Sequence, residues 1–287
     1  MPHVTAIIPT CNRPVMLERA LRSIAAQESL PTEVIVINDA GDPNEYTTRR
    51  VVEKCGIANS MVFNNSRAKG ASGARNTGAE RASGEFLAFL DDDDEWLPLY
   101  LGEALSAIAL NNLDMICTGL YCQFDDGVDR PSKTGPEKLV PELFLASNPG
   151  LVGSNFIVRR SLFREIGGFD ELLPACEDMD LGIRLSFRGN VKYERLPKRL
   201  VRLHQHKGQK LCKPGGEAMR VGVRRFYEIH AHRMSAVQRE EFCRNVRRFW
   251  SIDEGGRLLD LPPSAFFEPL LPLLKARLDQ RRRRNNK

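Results

Sequence analysis

Short apolar runs recur along the first part of the chain, and each ends at a polar or turn-forming residue. They occupy residues 4–8 (VTAII), 33–37 (EVIVI), 60–64 (SMVFN, the weakest) and 86–90 (FLAFL). Nearly continuous apolar runs of this length are typical of strands buried on both faces of a sheet. The pattern predicts four strands, and we expect the first to end at Pro9.

Stretches with helical periodicity lie between these runs. We expect helices from Pro14, over residues 43–55 and over residues 97–109, and a Gly-rich loop that enters a helix within residues 69–84. Strands that alternate with helices form a parallel sheet with helices on both faces. Ligands of such sheets bind outside the carboxyl ends of the strands, so polar residues at those ends are candidates for function.

The second half of the chain is less regular. Residues 151–171 predict a strand, a short helix and a Gly-Gly turn, and residues 174–189 predict a helix. Residues 191–206 suggest a pair of strands, and the chain from about residue 215 is helical and basic. The pattern as a whole predicts an α/β fold with a helical C-terminal end.

Composition narrows the class of protein. The chain has 287 residues, of which 42% are hydrophobic and 28% charged, as in ordinary soluble proteins. Its seven Cys form no CxxC pair, which argues against a zinc site and a disulfide framework. The N-terminus does not resemble a signal peptide, and no apolar run reaches the ~20 residues that span a bilayer. We therefore expect a soluble, cytoplasmic protein with reduced thiols.

Five acids follow the apolar run at 86–90 directly. Unit charges 4 Å apart repel by roughly 1 kcal/mol in water and roughly 4 kcal/mol near a protein surface, so the cluster needs a cation if it lies in a cleft. Asp91 and Asp93 point the same way in an extended segment, and Asp92 faces away. Such carboxylates suit Mg²⁺ or Mn²⁺. The alternative is a solvated loop that caps a helix beginning near Trp96, and both interpretations stay open here.

Two further polar features follow predicted strands. Asp39 ends the second strand, where it is either a contact for a nucleobase or ribose or a turn former. Arg75 and Asn76 lie in the Gly-rich segment, where a helix N-terminus can receive a phosphate. The segment matches neither the Walker A nor the GxGxxG pattern, so a simple Gly-rich turn is the alternative.

Acids and histidines in the second half offer candidates for proton transfer and metal binding. Glu177, Asp178 and Asp180 open a predicted helix, where they are either caps or include a general base. His204 and His206 share a face of an extended segment, as a third metal ligand or as surface residues.

Six motifs follow one another along the chain: AIIPTCNRP, VIVINDAGD, GASGARNTG, FLAFLDDDDEW, GGFDE and EDMDLGIRL. In this order they resemble those of the family 2 glycosyltransferases, over residues 4 to about 206. That resemblance implies the GT-A (Rossmann-like) fold, with a mostly parallel central sheet flanked by helices. It implies a domain over 1–210, with a nucleotide-sugar-binding half (1–118) and an acceptor and catalytic half (119–210), followed by a helical basic extension (211–287).

The resemblance also assigns roles to residues. The acids at 91–94 stand where the family has its DxD element, which binds the nucleotide and a divalent ion, Mn²⁺ or Mg²⁺. Asp94 competes for this role, because the family often writes DxDD, and His204 competes with His206. The implied nucleotide-sugar contacts are Pro9, Thr10, Asp39, Arg75, Asp91 and Asp92, and the implied metal ligands are Asp91, Asp93 and His206.

On the acceptor side, the resemblance implies binding by Gly168, Phe169 and Asp170, and catalysis by Asp178 as the base beside Glu177. The reaction would move a sugar from a nucleotide-diphosphate sugar (UDP or another) to a hydroxyl of a glycan or glycolipid, with inversion, in polysaccharide or lipopolysaccharide synthesis. The chain departs from the family pattern in two places: Asn38 replaces the first acid of DDGS, and Cys212 stands where a Ser usually follows the late His.

Two rival functions and the basic tail complete the expectations. A sugar-1-phosphate nucleotidyltransferase would need a Gly-rich basic loop where PTCNRP stands, and a silent nucleotide-sugar-binding protein would not need Asp93 and Asp178. Residues 275–287 (KARLDQRRRRNNK) either dock on an anionic membrane surface, on the cytoplasmic face of the inner membrane, or follow a packed helical cap. No aromatic platform accompanies the Arg run, so we expect no nucleic-acid partner.

Overall fold

A computed structural model of the chain describes residues 2–41, 44–205 and 215–250. Within these residues, nine strands form one sheet. The strands are β1 (Val4–Thr10), β2 (Glu33–Asn38), β3 (Ser60–Asn64), β4 (Phe86–Phe89), β5 (Asp94–Trp96), β6 (Met115–Gln123), β7 (Asp129–Pro131), β8 (Phe156–Arg159) and β9 (Tyr193–His204).

Helices pack on both faces of this sheet. Pro14 begins the first helix, as predicted, because a proline lacks the N–H that a first-turn residue would leave unpaired. The helices are α1 (Pro14–Ala25), α2 (Asn44–Cys55), α3 (Ala71–Arg81), α4 (Tyr100–Asn111), α5 (Glu142–Leu145), α6 (Arg160–Glu165), α7 (Glu177–Arg188), α8 (Glu217–His230) and α9 (Ala236–Trp250).

The sheet order is β3-β2-β1-β4-β8-β6-β9-β5, with β7 paired to β6. The first four strands are parallel to one another. The strand β8 joins them in antiparallel orientation, and β6 and β9 form a further parallel pair. The predicted α/β class, with a central sheet flanked by helices, is confirmed.

Side-chain alternation along β1 divides the core into two layers. Val4, Ala6 and Ile8 belong to a buried cluster with residues of α1, α2 and α4. Ile7 points to the opposite face, into a cluster with residues of α3, α7, α8 and α9. Because successive side chains of a strand point to opposite faces, a continuous apolar run fills both layers at once.

Three predicted boundaries are wrong. The strand β1 continues through Pro9 to Thr10, whose C=O accepts a hydrogen bond from the Asp39 N–H at 2.8 Å. Residues 94–96 do not open a helix, because they pair with β9, and the helix begins only at Tyr100. The predicted pair of strands over residues 191–206 is wrong for the described part of that range. The strand β9 is single, and shifts in register on both sides of Gly119 leave Pro197, Lys198 and Leu200 out of the ladder.

The described part of the C-terminal extension joins the main core. Met219, Val223 and Phe226 of α8 and Phe242 of α9 lie in the same buried cluster as α7. None of the helices in the described residues is both long and apolar enough to cross a membrane. His206, Cys212 and residues 275–287 lie outside the described residues, and the division of the chain at residue 210 stays a prediction.

Candidate active site

A cavity of about 430 Å³ opens where β1, β2 and β4 end and where α3 and α7 begin. Parallel strands bring the residues that follow their carboxyl ends to one edge, which explains why distant motifs meet here. Nine of the predicted site residues line the cavity: Pro9, Thr10, Asp39, Arg75, Asp91, Asp92, Asp93, Glu177 and Asp178.

The lining of the cavity is strongly acidic. It includes eight carboxyl side chains but only three Lys or Arg side chains among the described residues. Such an excess of negative charge repels an anionic ligand, unless a cation accompanies it. The cavity therefore suits a ligand that binds together with a metal ion.

A tight turn in the acidic run gathers three carboxylates. The Asp94 N–H donates to the Asp91 C=O at 3.0 Å, which reverses the chain from β4 into β5. Asp91, Asp93 and Asp94 consequently each offer one oxygen, and these oxygens lie within 4.8 Å of one another. The Ser154 hydroxyl fixes the turn, since it accepts from the Asp91 N–H at 3.0 Å and donates to Oδ2 of Asp94 at 2.6 Å.

This cluster has the chemistry of a magnesium or manganese site. Burial, and then the negative charges of Asp93 and Asp91, raise the pKa of Asp94 well above its usual range. A divalent ion would offset that repulsion, and carboxylate oxygens are a type of ligand that suits Mg²⁺ and Mn²⁺. The residues present therefore fit a divalent ion, with Asp94 as the third carboxylate.

Asp92 faces away from the cluster, as the alternation of side chains predicts. The Thr10 hydroxyl donates to its Oδ2 at 2.7 Å, and Nη1 of Arg13 lies 3.3 Å from its Oδ1. Burial raises the pKa of Asp92 to about 7, and the charge of Arg13 opposes this shift. Asp92 thus ties the acidic run to the end of β1.

Arg13 is a cavity residue that sequence reasoning missed. Its Nη1 also lies 3.1 Å from Oδ2 of Asp93, so one guanidinium contacts two neighbouring acids. Its place in the sequence, three residues after the end of β1, was an available signal, because residues that follow that strand must lie at the ligand-binding edge.

The Gly-rich segment, expected to be a loop that enters a helix, is mostly the buried helix α3. Residues 72–79 are buried, and the side chains are small enough for the helix to lie directly on the sheet. A Cβ added at Gly78 would lie 2.4 Å from the Ile7 side chain, so only glycine permits this approach. This close packing of α3 on the sheet fixes the position of Arg75 in the lining of the cavity.

Arg75 connects the two halves of the site. Its Nη2 donates to Oδ1 of Asp91 at 2.6 Å, and its Nη1 donates to Oε1 of Glu177 at 3.2 Å. Its guanidinium also lies 5.1 Å from the centre of the Phe169 ring. Burial alone would lower the pKa of Arg75, but the charges of Asp91, Glu177 and Asp178 outweigh it and raise the pKa. In this structure Arg75 positions two acids that belong to different motifs.

Asp178 is the carboxylate with unused hydrogen-bonding capacity. It lines the cavity, and its Oδ1 is buried without a hydrogen-bond partner within the described residues. Burial, and then the charge of Glu177, raise its pKa well above the usual range, although Arg75 opposes this shift. A carboxylate with a raised pKa and a free oxygen is a stronger base than an ordinary aspartate.

The predicted acceptor residues Gly168, Phe169 and Asp170 are not among the residues that line the cavity. Phe169 is 2% exposed and packs against Phe89, Phe156 and Phe163, so its ring is part of the core, and the acceptor-binding role of the three residues stays a prediction. The Asn76 amide holds its backbone, with hydrogen bonds of 2.9 Å to both N–H and C=O. The buried ring of Phe169 therefore provides a packing surface for the guanidinium of Arg75.

Glu171, the residue after this turn, lines the cavity instead. Its carboxylate accepts from the Ala68 N–H at 3.2 Å and from the Asn76 amide at 2.8 Å. Asp39 holds the same loop, because its Oδ2 accepts from the Gly70 N–H at 2.9 Å. The last letter of GGFDE was the available signal for Glu171, which sequence reasoning did not select.

The ring of His204 is paired with Glu95 rather than with the metal-site carboxylates. Its Nε2 lies 2.6 Å from Oε2 of Glu95, which also accepts from Nη1 of Arg202 at 3.1 Å. The hydrogen bond with His204 lowers the pKa of Glu95 to about 2, with a further contribution from Arg202 and opposition from burial. His204 borders the cavity, but its ring forms a side-chain contact between the paired strands β9 and β5.

We expect Glu95→Gln to lower the free energy of unfolding by on the order of 2 kcal/mol at neutral pH, since each pKa unit corresponds to about 1.4 kcal/mol. A depressed carboxylate pKa stabilises the fold above its unfolded value of about 4.3, and this contribution is lost as the pH falls toward 2. Urea unfolding of the variant and the wild type, compared at several pH values, measures the difference.

The matched control is Glu103→Gln, which removes a surface carboxylate paired with Lys198 at 2.6 Å. Surface pairs contribute about 0–1 kcal/mol, so this change should be small at every pH. A difference for Glu95→Gln that stays constant from neutral pH to the acid end would contradict the assignment.

Comparison with known proteins places these features in a family. Residues 5–167 match the profile of glycosyl transferase family 2. A β-1,3-glucosyltransferase of Campylobacter jejuni that acts on GalNAc(5)-diNAcBac-PP-undecaprenol is 38% identical over 97 residues, which cover 34% of this chain and 31% of that protein. The Escherichia coli UDP-Glc:alpha-D-GlcNAc-diphosphoundecaprenol beta-1,3-glucosyltransferase is 34% identical over 113 residues, 39% of this chain and 44% of that protein. The chain thus spans less than half the length of either relative.

Solved structures support the fold. The crystal structure of Staphylococcus aureus TarS, residues 1–349, in complex with UDP-GlcNAc superposes with a TM-score of 0.63 at 21% identity. The alignment covers 88% of this chain and 74% of that one. The predicted GT-A fold is confirmed, and it extends over most of the chain.

Proposed function

Since the chain belongs to glycosyl transferase family 2, we propose that it transfers a glycosyl group from a nucleotide-diphosphate sugar to an acceptor hydroxyl, with inversion of the anomeric carbon. One observation carries the proposal: Asp178, with its unpartnered oxygen and raised pKa, shares a single cavity with the cluster of Asp91, Asp93 and Asp94. In this arrangement Asp178 would act as the base, and the carboxylate cluster would hold the ion that binds the leaving diphosphate.

The nucleotide end is formed by the residues after β1, β2 and β4. Thr10 and Asp39 border the space for the base and ribose, and the cluster of Asp91, Asp93 and Asp94 would hold Mn²⁺ or Mg²⁺. When bound there, the ion would act as a Lewis acid that compensates the charge on the diphosphate. Arg75 and Arg13 keep the carboxylates oriented through their ion pairs.

Asp178 acts at the acceptor end. It takes the proton of the acceptor hydroxyl while that oxygen forms a bond to the anomeric carbon. The bond from this carbon to the diphosphate oxygen breaks in the same step, and the nucleoside diphosphate leaves with the electron pair. Attack from the face opposite the leaving group inverts the configuration, and no covalent intermediate with the protein is required.

The names of the two bacterial relatives suggest the acceptor. Both include an acceptor glycan attached through diphosphate to undecaprenol. We propose that the acceptor here is likewise a lipid-linked glycan of the kind used in cell-surface polysaccharide synthesis.

A panel of nucleotide-diphosphate sugars, tested with lipid-linked acceptors and Mn²⁺, examines the proposal. We expect release of free nucleoside diphosphate together with a product whose new linkage, determined by NMR, has the opposite anomeric configuration to the donor. Release of pyrophosphate from a nucleoside triphosphate and a sugar phosphate would indicate a nucleotidyltransferase. Donor binding without turnover over the whole panel would indicate a silent binding protein, and either result would overturn the proposal.

A further inference from the structure

The helix α8 forms part of the cavity although it lies outside the matched family region. Ala218, in its first turn, lines the cavity. One turn later, Gly222 lies so close to the loop before α7 that an added Cβ would be 2.6 Å from the backbone nitrogen of Ala175. Ala175 is three residues before Asp178, so the backbone of α8 touches the segment that leads to the proposed base.

A buried hydrogen bond joins the same two helices. Nε2 of His230, at the end of α8, lies 3.0 Å from Oδ1 of Asp180 in α7, and each residue is only 3% exposed. Nε of Arg184 donates to Oδ2 of Asp180 at 2.8 Å, which occupies the second oxygen. Both carboxylate oxygens of Asp180 are therefore used, and both partners are positioned by helices.

The pair lies on the far side of α7 from the base. Residues two apart in a helix are about 200° apart around its axis, because each turn has 3.6 residues. Asp178 can therefore line the cavity while Asp180 faces α8. A hydrogen bond is directional, so the bond from His230 to Asp180 opposes rotation of α7 about its axis.

The chemistry of Asp180 supports a structural role for its charge. Burial alone would raise its pKa, but the hydrogen bond from His230 and the charge of Arg184 outweigh burial and lower the pKa. An ionised carboxylate buried at this depth must keep its partners, so this hydrogen bond adds one fixed point to the apolar contact between the two helices.

We propose that His230 is a positioning residue, which acts through Asp180 to fix the rotation of α7 and so the place of the Asp178 carboxylate. The inference rests on the glycosyl transfer proposed above. It makes α8 a component of the catalytic architecture. Small displacements of a catalytic group are costly, since a 1 Å error can reduce a rate by about a hundredfold.

Kinetics with His230→Leu test the proposal. We expect kcat to fall by about ten- to a hundredfold while the KM for the donor changes by less than about threefold, because the nucleotide end of the cavity is untouched. His230→Gln, whose amide can donate to Asp180, should recover most of kcat. The matched control is His232→Leu, an exposed histidine two residues further along, which should behave as the wild type.

Hydrogen exchange gives a readout that does not depend on turnover. The Asp180 N–H donates to the Cys176 C=O at 3.1 Å, so the exchange of this amide and its neighbours reports how firmly α7 is held. We expect exchange to be about tenfold faster in His230→Leu and close to that of the wild type in His230→Gln. If His230→Leu does not fold, His230→Asn, whose shorter amide does not reproduce the Nε2 position, takes its place with the same expectations.

The outcomes separate the two proposals. Wild-type protein that turns over no donor would overturn the glycosyl transfer, and hydrogen exchange would still decide whether His230 holds α7. Unchanged exchange in His230→Leu, or a kcat close to that of the wild type, would overturn the positioning role. A rise in donor KM as large as the fall in kcat would also overturn it, since that result indicates general damage to the site.

Discussion

Replacing Asp178 with Asn should lower kcat by about a hundred- to ten-thousandfold, the range associated with loss of a general base. The amide keeps the size and shape of the side chain but cannot accept the proton of the acceptor hydroxyl. The donor should bind as in the wild type, because the carboxylate cluster of Asp91, Asp93 and Asp94 is intact in the variant. Initial rates of nucleoside diphosphate release at saturating acceptor, combined with calorimetric titration of the donor, measure both quantities.

The pH dependence of the wild type provides a second signature of the same residue. The pKa of Asp178 is raised, so the carboxylate is protonated and inactive over a wider acid range than an ordinary aspartate. Activity should therefore fall as the pH is lowered through a value above the usual pKa of about 3.9, and this limb should be missing from the residual activity of Asp178→Asn.

Glu165→Gln is the matched control, because it neutralises an acid of the same half of the chain that is paired with Arg188 at the surface. It should leave both kcat and the pH limb unchanged. An Asp178→Asn variant that folds and turns over at the wild-type rate would show that Asp178 is not the general base. A pH limb that persists in the variant would assign the titration to another group.

The fold was predictable because its signal is local. The runs at 4–8, 33–37 and 86–90 are apolar on both faces, which only a covered parallel sheet explains, and the alternating helices supply the cover. Boundaries failed where tertiary pairing decided them. The segment 94–96 is acidic and precedes a helix, yet it is a strand because β9 lies beside it.

The candidate site was predictable only as a set of strand ends. Sequence order places Asp39, Arg75 and Asp91 after β2, in α3 and after β4, and the parallel sheet brings them to one cavity. The orientation of the side chains was harder to predict from the sequence. Alternation along an extended segment pairs Asp91 with Asp93, but the turn closed by the Asp91 C=O also brings in Asp94, which had been named only as a competitor.

Contacts made by side chains from distant segments could not be predicted. Ser154 fixes the acidic turn from 60 residues away, and His230 reaches Asp180 from 50 residues away. Neither residue stands in a motif, and hydroxyls and histidines are too common for their position in the sequence to reveal a partner. Such long-range polar contacts depend on the folded structure and leave no signal in the six motifs.

Removal of divalent ions should abolish most of the activity. Chelation with EDTA is expected to lower kcat by about a hundredfold or more, because an ion held by the cluster would contribute several kcal/mol to stabilisation of the developing charge, and each 1.4 kcal/mol corresponds to about a factor of ten. Mn²⁺ or Mg²⁺ added in excess of the chelator should restore the rate. The eight carboxyl side chains that line the cavity give the physical reason, since a diphosphate is repelled when the ion is missing.

The acidic run itself supplies the variants that locate the ion. Asp93→Asn removes one charged ligand from the cluster and should weaken Mn²⁺ binding by about tenfold or more, because one lost ligand costs at least about 1.4 kcal/mol. Asp92→Asn should change the affinity for Mn²⁺ by less than about threefold. Asp92 is directed to Thr10 and Arg13 instead of the cluster. Titration of each variant with Mn²⁺, followed by electron paramagnetic resonance of the free ion, gives the affinities. Equal losses in the two variants would mean that the effect is one of overall charge, and activity that persists in EDTA would exclude the ion from the reaction.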